Sequence, residues 1–280
     1  RFYDWYCDLP PGEPLTWGVQ TEACECADWF NSKYIVLWGS NISQTRIPDA
    51  HFAYEARYNG AKIVCISPDS NASATHADLY FRINPGTDGI LALGVAKLLI
   101  DHNWIDTPYV KEQTDLPLLV LSGTNRFLRE SDLKKGGKED IFYFWDTKQQ
   151  RAIPTPGSMG SDQKTIQLNG ADPALTGTFQ VQLADDGTVE VTTVYELLNK
   201  ELSQYTLERV SARTGLPAHE IELFAKDLGT RKPAMIIHGA GTNHWFHNDL
   251  INRSFTLLVA LTGNVGKNGG GFNHYVGQEK

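Results

Sequence analysis

Cysteine is scarce here, and its spacing is wrong for a metal site. The four present are Cys7, Cys24, Cys26 and Cys65, and a lone C-x-C lacks the second pair that a tetrahedral zinc or cluster site requires. Cys24, Cys26 and Cys65 therefore read as free thiols in or near a core. Cys7 stands apart because it directly precedes Asp8 and a thiolate is a competent soft ligand. Long apolar runs are missing too, so no segment reads as a bilayer-crossing helix. Basic charge is outweighed, with 25 Lys and Arg against 33 Asp and Glu and a formal net charge of -8. Without a basic face, a nucleic-acid partner is excluded. No G-x-G-x-x-G occurs, so the usual NAD fingerprint is absent.

What is present is an ordinary globular composition, 41% hydrophobic and 21% charged over 280 residues. That length buries a full core, as one large α/β domain or two smaller ones. The chain begins without Met in what reads as the middle of an element and stops at YVGQEK. An internal piece of a longer, multidomain subunit is expected.

Alternation of strand and helix organises the first part. The run YIVLW (34–38) is short, apolar and β-prone, and Gly39 ends it as a buried strand. Pro48 sits at a plausible first helical turn, and Asn59-Gly60 supplies the stop. KIVCIS (62–67) and LYFRI (79–83) are further strands, and Gly86-Thr87-Asp88 opens a long apolar-periodic helix. This order implies a doubly wound, mainly parallel sheet, whose ligands bind beyond the carboxyl ends of its strands. Between about Leu121 and Thr192 the pattern changes to loops and hairpins, with Asp186-Gly187 as a hairpin turn. Helical periodicity returns from Val194 to about Leu228, with Thr206 a plausible N-cap. AMIIHGAG (234–241) is again a strand entering a glycine-rich turn, and a helix from about Asn248 to Leu261 follows. The expected fold class is α/β, with mainly parallel sheets and a short β-rich insertion. The expected divisions are an α/β cofactor-binding region at 1–120, a linking region at 121–192, and a second α/β region at 193–280.

Several constellations carry chemistry. Asp8, in YDWYCDLPP, is a hard anionic donor in an aromatic and proline-flanked turn, suited to a high-valent metal; the alternative is a turn or capping Asp. Asp4 is the rival carboxylate and Cys7 the rival ligand. Gly39, Ser40, Asn41 and Thr45, with Arg46 as a charged partner, make a candidate phosphate cradle, or else an ordinary strand-to-helix turn. HGAGTNHWFHND contains His238, Asn243, His244, Trp245 and His247 after a strand. The H-x5-H-x2-H spacing does not put three rings on one face, which argues against zinc. Gly269-Gly270-Gly271 allows close approach of backbone to a bulky ligand.

In combination, YDWYCDLPP, WGSN-x3-TR-x-PDAHF, GTD and the terminal YVGQEK closely resemble one family, the catalytic subunits of the molybdenum bis(guanine dinucleotide) oxidoreductases. Within it, the wording is most similar to the branch of nitrate reductase and nitrite oxidoreductase. The compact middle, with FLRESDL and FYFWD, is more like the outward-facing members, which include perchlorate, chlorate and selenate reductases. The resemblance implies Asp8 as the molybdenum ligand. It places the guanine dinucleotide on Gly39, Ser40, Asn41, Thr45 and Arg46, on Ser67 and Asp69, and on Gly86, Thr87 and Asp88, with Asp69 or Asp88 reading the base. It places Gly239, Gly241 and Gly270 beside the cofactor, and His244 and Asn243 in the molybdenum pocket. It further implies oxygen-atom transfer between nitrate and nitrite; the alternatives are another oxyanion reductase, a molybdenum hydrocarbon hydroxylase or a non-catalytic nucleotide-binding module. A 4Fe-4S cluster with ligands outside this segment, an iron–sulfur beta subunit and a membrane-anchoring or haem gamma subunit are expected. So is a membrane-associated complex, with the outward side favoured over the cytoplasmic face.

Overall fold

The computed structural model describes residues 11–18, 24–162 and 166–274. Asp4, Cys7 and Asp8 lie outside the described residues, as does the terminal segment from Tyr275. Among the described residues ten strands form: β1 (Tyr34–Trp38), β2 (Lys62–Ser67), β3 (Leu79–Arg82), β4 (Leu119–Leu121), β5 (Tyr143–Asp146), β6 (Arg151–Pro154), β7 (Thr178–Gln182), β8 (Thr188–Thr193), β9 (Ala234–His238) and β10 (Gly271–Asn273). The fold is α/β, with one mainly parallel sheet and two small antiparallel ones.

The chain divides into two compact units, Arg1–Ile105 with Gln204–Lys280, and Asp106–Ser203. The linking region expected at 121–192 lies inside the second unit, which extends beyond it on both sides. Residues of both expected α/β regions share the first.

The first unit is built on a five-stranded sheet in the order β10-β9-β1-β2-β3, with every adjacent pair parallel. All five residues of β1 are buried because β1 is central and both faces are covered. Period-two alternation sends Ile35 and Leu37 to one face. There they join Ile63, Met235 and Ile237 against Trp29 and the alanines 50, 53 and 56 of helix Ile47–Tyr58. Tyr34, Val36 and Trp38 face the other way. Tyr34 and Trp38 meet Phe224 of helix Ala218–Thr230, and Trp38 also meets Phe255 of helix Asn248–Leu261 at 4.3 Å between ring centroids. At the rear edge, the buried Asp227 ties the start of β2 to its own helix, through Lys62 at 3.1 Å and Arg231 at 2.8 Å.

Helix Asp88–Asp101 begins where GTD predicts, but Thr87 takes the N-cap position without a side-chain capping bond and Asp88 is the first helical residue. The periodic stretch from Val194 resolves into three helices, Val194–Leu202, Leu207–Thr214 and Ala218–Thr230. Thr206 caps the second by accepting from the Arg209 N–H, and Gly215, in the left-handed region, ends it.

The second unit holds the antiparallel sheet β4-β8-β7 and the hairpin β5-β6. β7 and β8 join through the predicted turn, where Asp186 has φ +67°. Their core gathers Leu119, Leu128, Ile141, Tyr143, Val181 and Val191, and Trp145 stacks on Phe179 at 4.3 Å.

Candidate functional site

Because β10, β9, β1, β2 and β3 all run the same way, their carboxyl ends open on one edge of the sheet. Two cavities lie there. One, of about 290 Å³, is lined by Gly39, Asn41, Ser67, Asp69, Gly86 and Asp88, with Thr242 and Trp245 among the rest. The other, of about 420 Å³, is lined by Gly39, Ser40, Asn41, Thr45, Arg46, His238, Gly239, Ala240 and Gly241. They share Gly39, Asn41 and Gly241.

The shared wall is a crossing of two strand ends that only glycine permits. A Cβ on Gly239 would stand 2.5 Å from the Gly39 carbonyl oxygen, and one on Gly241 would stand 3.1 Å from it. Gly39 itself has φ +57°, and a Cβ there would come within 2.9 Å of Thr242 Cγ2. Without side chains, the turns after β1 and β9 interlock and leave space in front. The sheet uses some of the expected donors: Gly39 N–H goes to Ile66 O at 2.9 Å and Gly239 N–H to Trp38 O at 3.1 Å. Those two amides therefore shape the edge and do not bind an anion.

Asn41 is held by a local network. Its Oδ1 accepts from Ser73 Oγ at 2.9 Å, and its Nδ2 donates to Gln44 Oε1 at 2.7 Å. Thr45 Oγ1 donates to the Asn41 carbonyl. Arg46 supplies the cationic side of the larger cavity and is steadied by donating to the His274 carbonyl and, at 3.4 Å, to Asn273 Oδ1. Beyond β2, Ser67 Oγ donates to Asp69 Oδ1 at 3.0 Å, which turns that carboxylate across the strand end.

Asp88 is buried, and its Oδ1 accepts from Trp38 Nε1 at 2.8 Å. Burial raises its carboxyl above the usual range; the Trp38 bond works the other way. Thr87 lines neither cavity and satisfies its own turn by donating to Asn84 O at 2.7 Å. Trp245 donates Nε1–H to Gly241 O at 3.0 Å and covers Gly86, where a Cβ would meet the indole at 3.0 Å.

The histidine-rich turn separates its members. His238 ends β9 fully buried, whereas His244 and His247 are exposed. Asn243 is 1% exposed and points into the protein, where its Oδ1 accepts from Asn252 Nδ2 at 2.8 Å. Neither Asn243 nor His244 lines the two cavities. Gly270 belongs to a third cavity of about 500 Å³, lined also by Trp17, Cys24, Asp28 and Lys267, so it does not join the others.

Sequence reasoning missed Glu13 and His274. Glu13 is fully buried, 3.0 Å from His274 Nδ1 through Oε2 and 3.5 Å from His238 Nε2 through Oε1. Burial, then the Arg46 charge, lowers His274 to about 4; burial, then His274, pushes His238 well below the usual imidazole range. Both rings are neutral at pH 7. The signal for Glu13 was faint, a carboxylate between prolines that would read as a surface turn.

A glycine-paved edge with two joined cavities, one cationic residue and two carboxylates fits a long phosphorylated ligand whose base needs acceptors. The family described as molybdopterin oxidoreductase matches residues 1–278. The chain is 47% identical over 299 aligned residues to the alpha subunit of perchlorate reductase from Dechloromonas aromatica, covering all of this chain and 32% of that protein. It is 43% identical over 289 residues to the alpha subunit of respiratory nitrate reductase from Haloferax mediterranei, covering all of this chain and 29% of that protein. Acetylene hydratase from Pelobacter acetylenicus shares the fold, with a TM-score of 0.57 at 18% identity over 93% of this chain and 24% of that one. The chain thus spans about a third of the length of these relatives.

Proposed function

This chain belongs to the molybdopterin oxidoreductase family, and from that premise we propose that it carries part of the cofactor site of an oxyanion-reducing or oxyanion-forming alpha subunit. The observation that supports this most is the glycine-only crossing of Gly39 with Gly239 and Gly241 between two polar cavities. The residues there would hold a molybdenum bis(guanine dinucleotide). When bound, such a cofactor supplies two-electron redox chemistry and a Lewis acid for an oxyanion oxygen. Arg46 would neutralise phosphate charge, Ser40 and Asn41 would flank the diphosphate, and Asp69 and Asp88 would accept the N–H donors of the guanine edge. Asp8 is the proposed metal ligand, with His244 toward the substrate. Exchange between nitrate and nitrite is the first reading of the reaction. Perchlorate or chlorate reduction is the second, favoured by the 47% identity to a perchlorate reductase subunit. An iron–sulfur beta subunit, a gamma subunit and a membrane-associated complex complete the proposal, although no helix among the described residues is long and apolar enough to cross a membrane.

Asp88→Asn tests the site. Asn keeps an acceptor for Trp38 Nε1 but presents a donor where guanine needs an acceptor, so cofactor content in the purified intact subunit should fall severalfold. The cofactor-free protein should be no less stable, because the variant removes a buried ionisable group. The sign follows from burial: a raised carboxyl favours folding below its ordinary range and loses that advantage as pH rises through the folded value. Unchanged cofactor content with Asp88→Asn and with Asn41→Ala would move the cradle elsewhere. Steady-state assay of the intact complex with nitrate, nitrite, chlorate and perchlorate under matched donors decides the substrate.

A further inference from the structure

Trp245 differs from its neighbours in the histidine-rich turn by what it spans. Its Nε1–H donates to Gly241 O at 3.0 Å, in the turn after β9, while its six-membered ring lies on Gly86, in the turn after β3. A Cβ on Gly86 would stand 3.0, 3.1 and 3.4 Å from Cε3, Cζ3 and Cδ2 of the indole. Near-equal distances to three consecutive ring carbons put Gly86 over the flat of the ring and not at its rim. Gly86 and Gly241 both line the smaller cavity, so the indole reaches across it from one wall to the other. The backbone that carries the ring is braced. Asn248 N–H donates to Trp245 O at 3.2 Å, and Asn248 Nδ2 donates to the Asn243 carbonyl. His247 takes φ +59°, a left-handed conformation that side chains rarely adopt. A costly backbone conformation that fixes an exposed aromatic beside a cavity points to a use for that aromatic. The side chain is held on two walls, yet Trp245 stays 40% exposed.

We propose that Trp245 is the stacking platform for a guanine base of the dinucleotide, and that the smaller cavity takes the base while the larger takes the phosphates. This inference rests on the proposed function and deepens it. The division follows charge. Asp69 and Asp88 line the smaller cavity and no Lys or Arg does, whereas Arg46 lines the larger. Phosphates are repelled by two carboxylates and drawn to a guanidinium. A neutral base has other needs: its N–H edge needs acceptors, and its faces need weakly polar surface. Pro68 and Pro85 line the same cavity as the indole, so it offers both. At about 290 Å³ it is at the small end for ligand sites, with room for one end of a long cofactor and not the whole. Because Nε1–H is already given to Gly241 O, the indole presents a face to the base and no hydrogen bond. Stacking tolerates any base. Trp245 therefore supplies affinity, and the carboxylates supply the choice of guanine.

Guanosine monophosphate is the probe, and the intact subunit freed of cofactor is the protein. A cofactor of two dinucleotides has two guanine ends, so the change belongs to one site of two. At that site, calorimetric titration should show Trp245→Leu binding the nucleotide about tenfold more weakly than wild type, with Trp245→Phe within about threefold of it. Leu fills much of the space without a π face, and Phe keeps a π face without Nε1–H. Phe above Leu thus separates stacking from packing and from the bond to Gly241. Bound nucleotide should quench indole emission in wild type and quench it less in Trp245→Phe. In complexes purified with their cofactor, acid hydrolysis should release less guanosine monophosphate from Trp245→Leu than from wild type. Equal isotherms for wild type and Trp245→Leu, or equal quenching in wild type and Trp245→Phe, overturns the platform. If wild type neither binds this nucleotide nor releases it, the functional reading fails and the platform falls with it. Nucleotide that is present but indifferent to position 245 overturns the platform alone.

Discussion

The two units of this chain manage polar groups in opposite ways. In Asp106–Ser203 the ion pairs lie toward solvent: Arg129 with Glu139 at 3.0 Å, and Lys111 with Asp172 at 2.6 Å. Its core is apolar and sealed by the Trp145–Phe179 stack. In the parallel-sheet unit, Glu13, Asp88, His238, Asn243, Asn252 and His274 are all buried, and they gather at the carboxyl edge of one sheet. A buried polar group is costly unless satisfied, while a solvated one is nearly neutral. The contrast teaches where the molecule keeps costly groups for use. In the first unit most of them gather at the edge where the cavities are, while the buried Asp227 at the rear edge is paired with Lys62 and Arg231.

The largest effect that tests this contrast is steric. Gly239→Ala places a methyl 2.5 Å from the Gly39 carbonyl, and both partners are backbone, so no side chain can swing away. Overpacking of this kind costs on the order of 3 kcal/mol, and chemical denaturation of the variant should show it. Cofactor content should fall as well. A variant as stable as wild type would mean that the crossing is looser than its geometry indicates.

Why half of this was legible in sequence and half was not follows from the same contrast. Strand ends and glycines are local signals. YIVLW, KIVCIS and AMIIH each ended where the structure ends them, and a parallel sheet then puts Gly39, Asp69, Asp88 and Gly239 along one edge. Side-chain direction is not local. Asn243 and His244 are neighbours in a polar run, yet one is buried against Asn252 and the other is exposed. Glu13 and His274 meet only because helix Gly12–Trp17 packs on helix Asn248–Leu261 near the end of β10, a pairing no spacing rule carries. Cys65 is buried, as its strand position implied, with its thiol pushed up to about 11 by burial.

A smaller effect follows from the buried imidazoles. Both are lowered, so folding favours their neutral forms, and the stability they confer is present above the ordinary imidazole value of about 6.5. It is lost as pH falls toward the folded value, about 4 for His274. For His274 the linkage amounts to about 3 kcal/mol across that window. Thermal unfolding followed from pH 7 to 4 should show a steady loss. His274→Asn, whose amide does not titrate, should flatten part of it. A parallel pH profile for the variant would contradict neutral burial of His274.

The smallest effect belongs to the second unit. Lys111 bonds Asp172 at 2.6 Å, and Thr147 Oγ1 donates to the other carboxylate oxygen. The Lys111 bond is the chief reason, and the Thr147 bond the next, that the Asp172 carboxyl sits below the usual range. The pair is partly open to water, with side chains 22% and 39% exposed, so solvent screens it and side-chain entropy opposes it. Lys111→Ala should therefore cost no more than about 1 kcal/mol, and less in high salt. What remains should depend on pH in the same direction as the histidines' neutral burial, in the lower range where carboxylates titrate. A lowered carboxyl gives stability that is present above its ordinary range and disappears on acidification through the folded value, so the variant and wild type should converge at low pH. A loss as large as that of Gly239→Ala would mean that surface charge, and not only the glycine-paved edge, governs the stability of this chain.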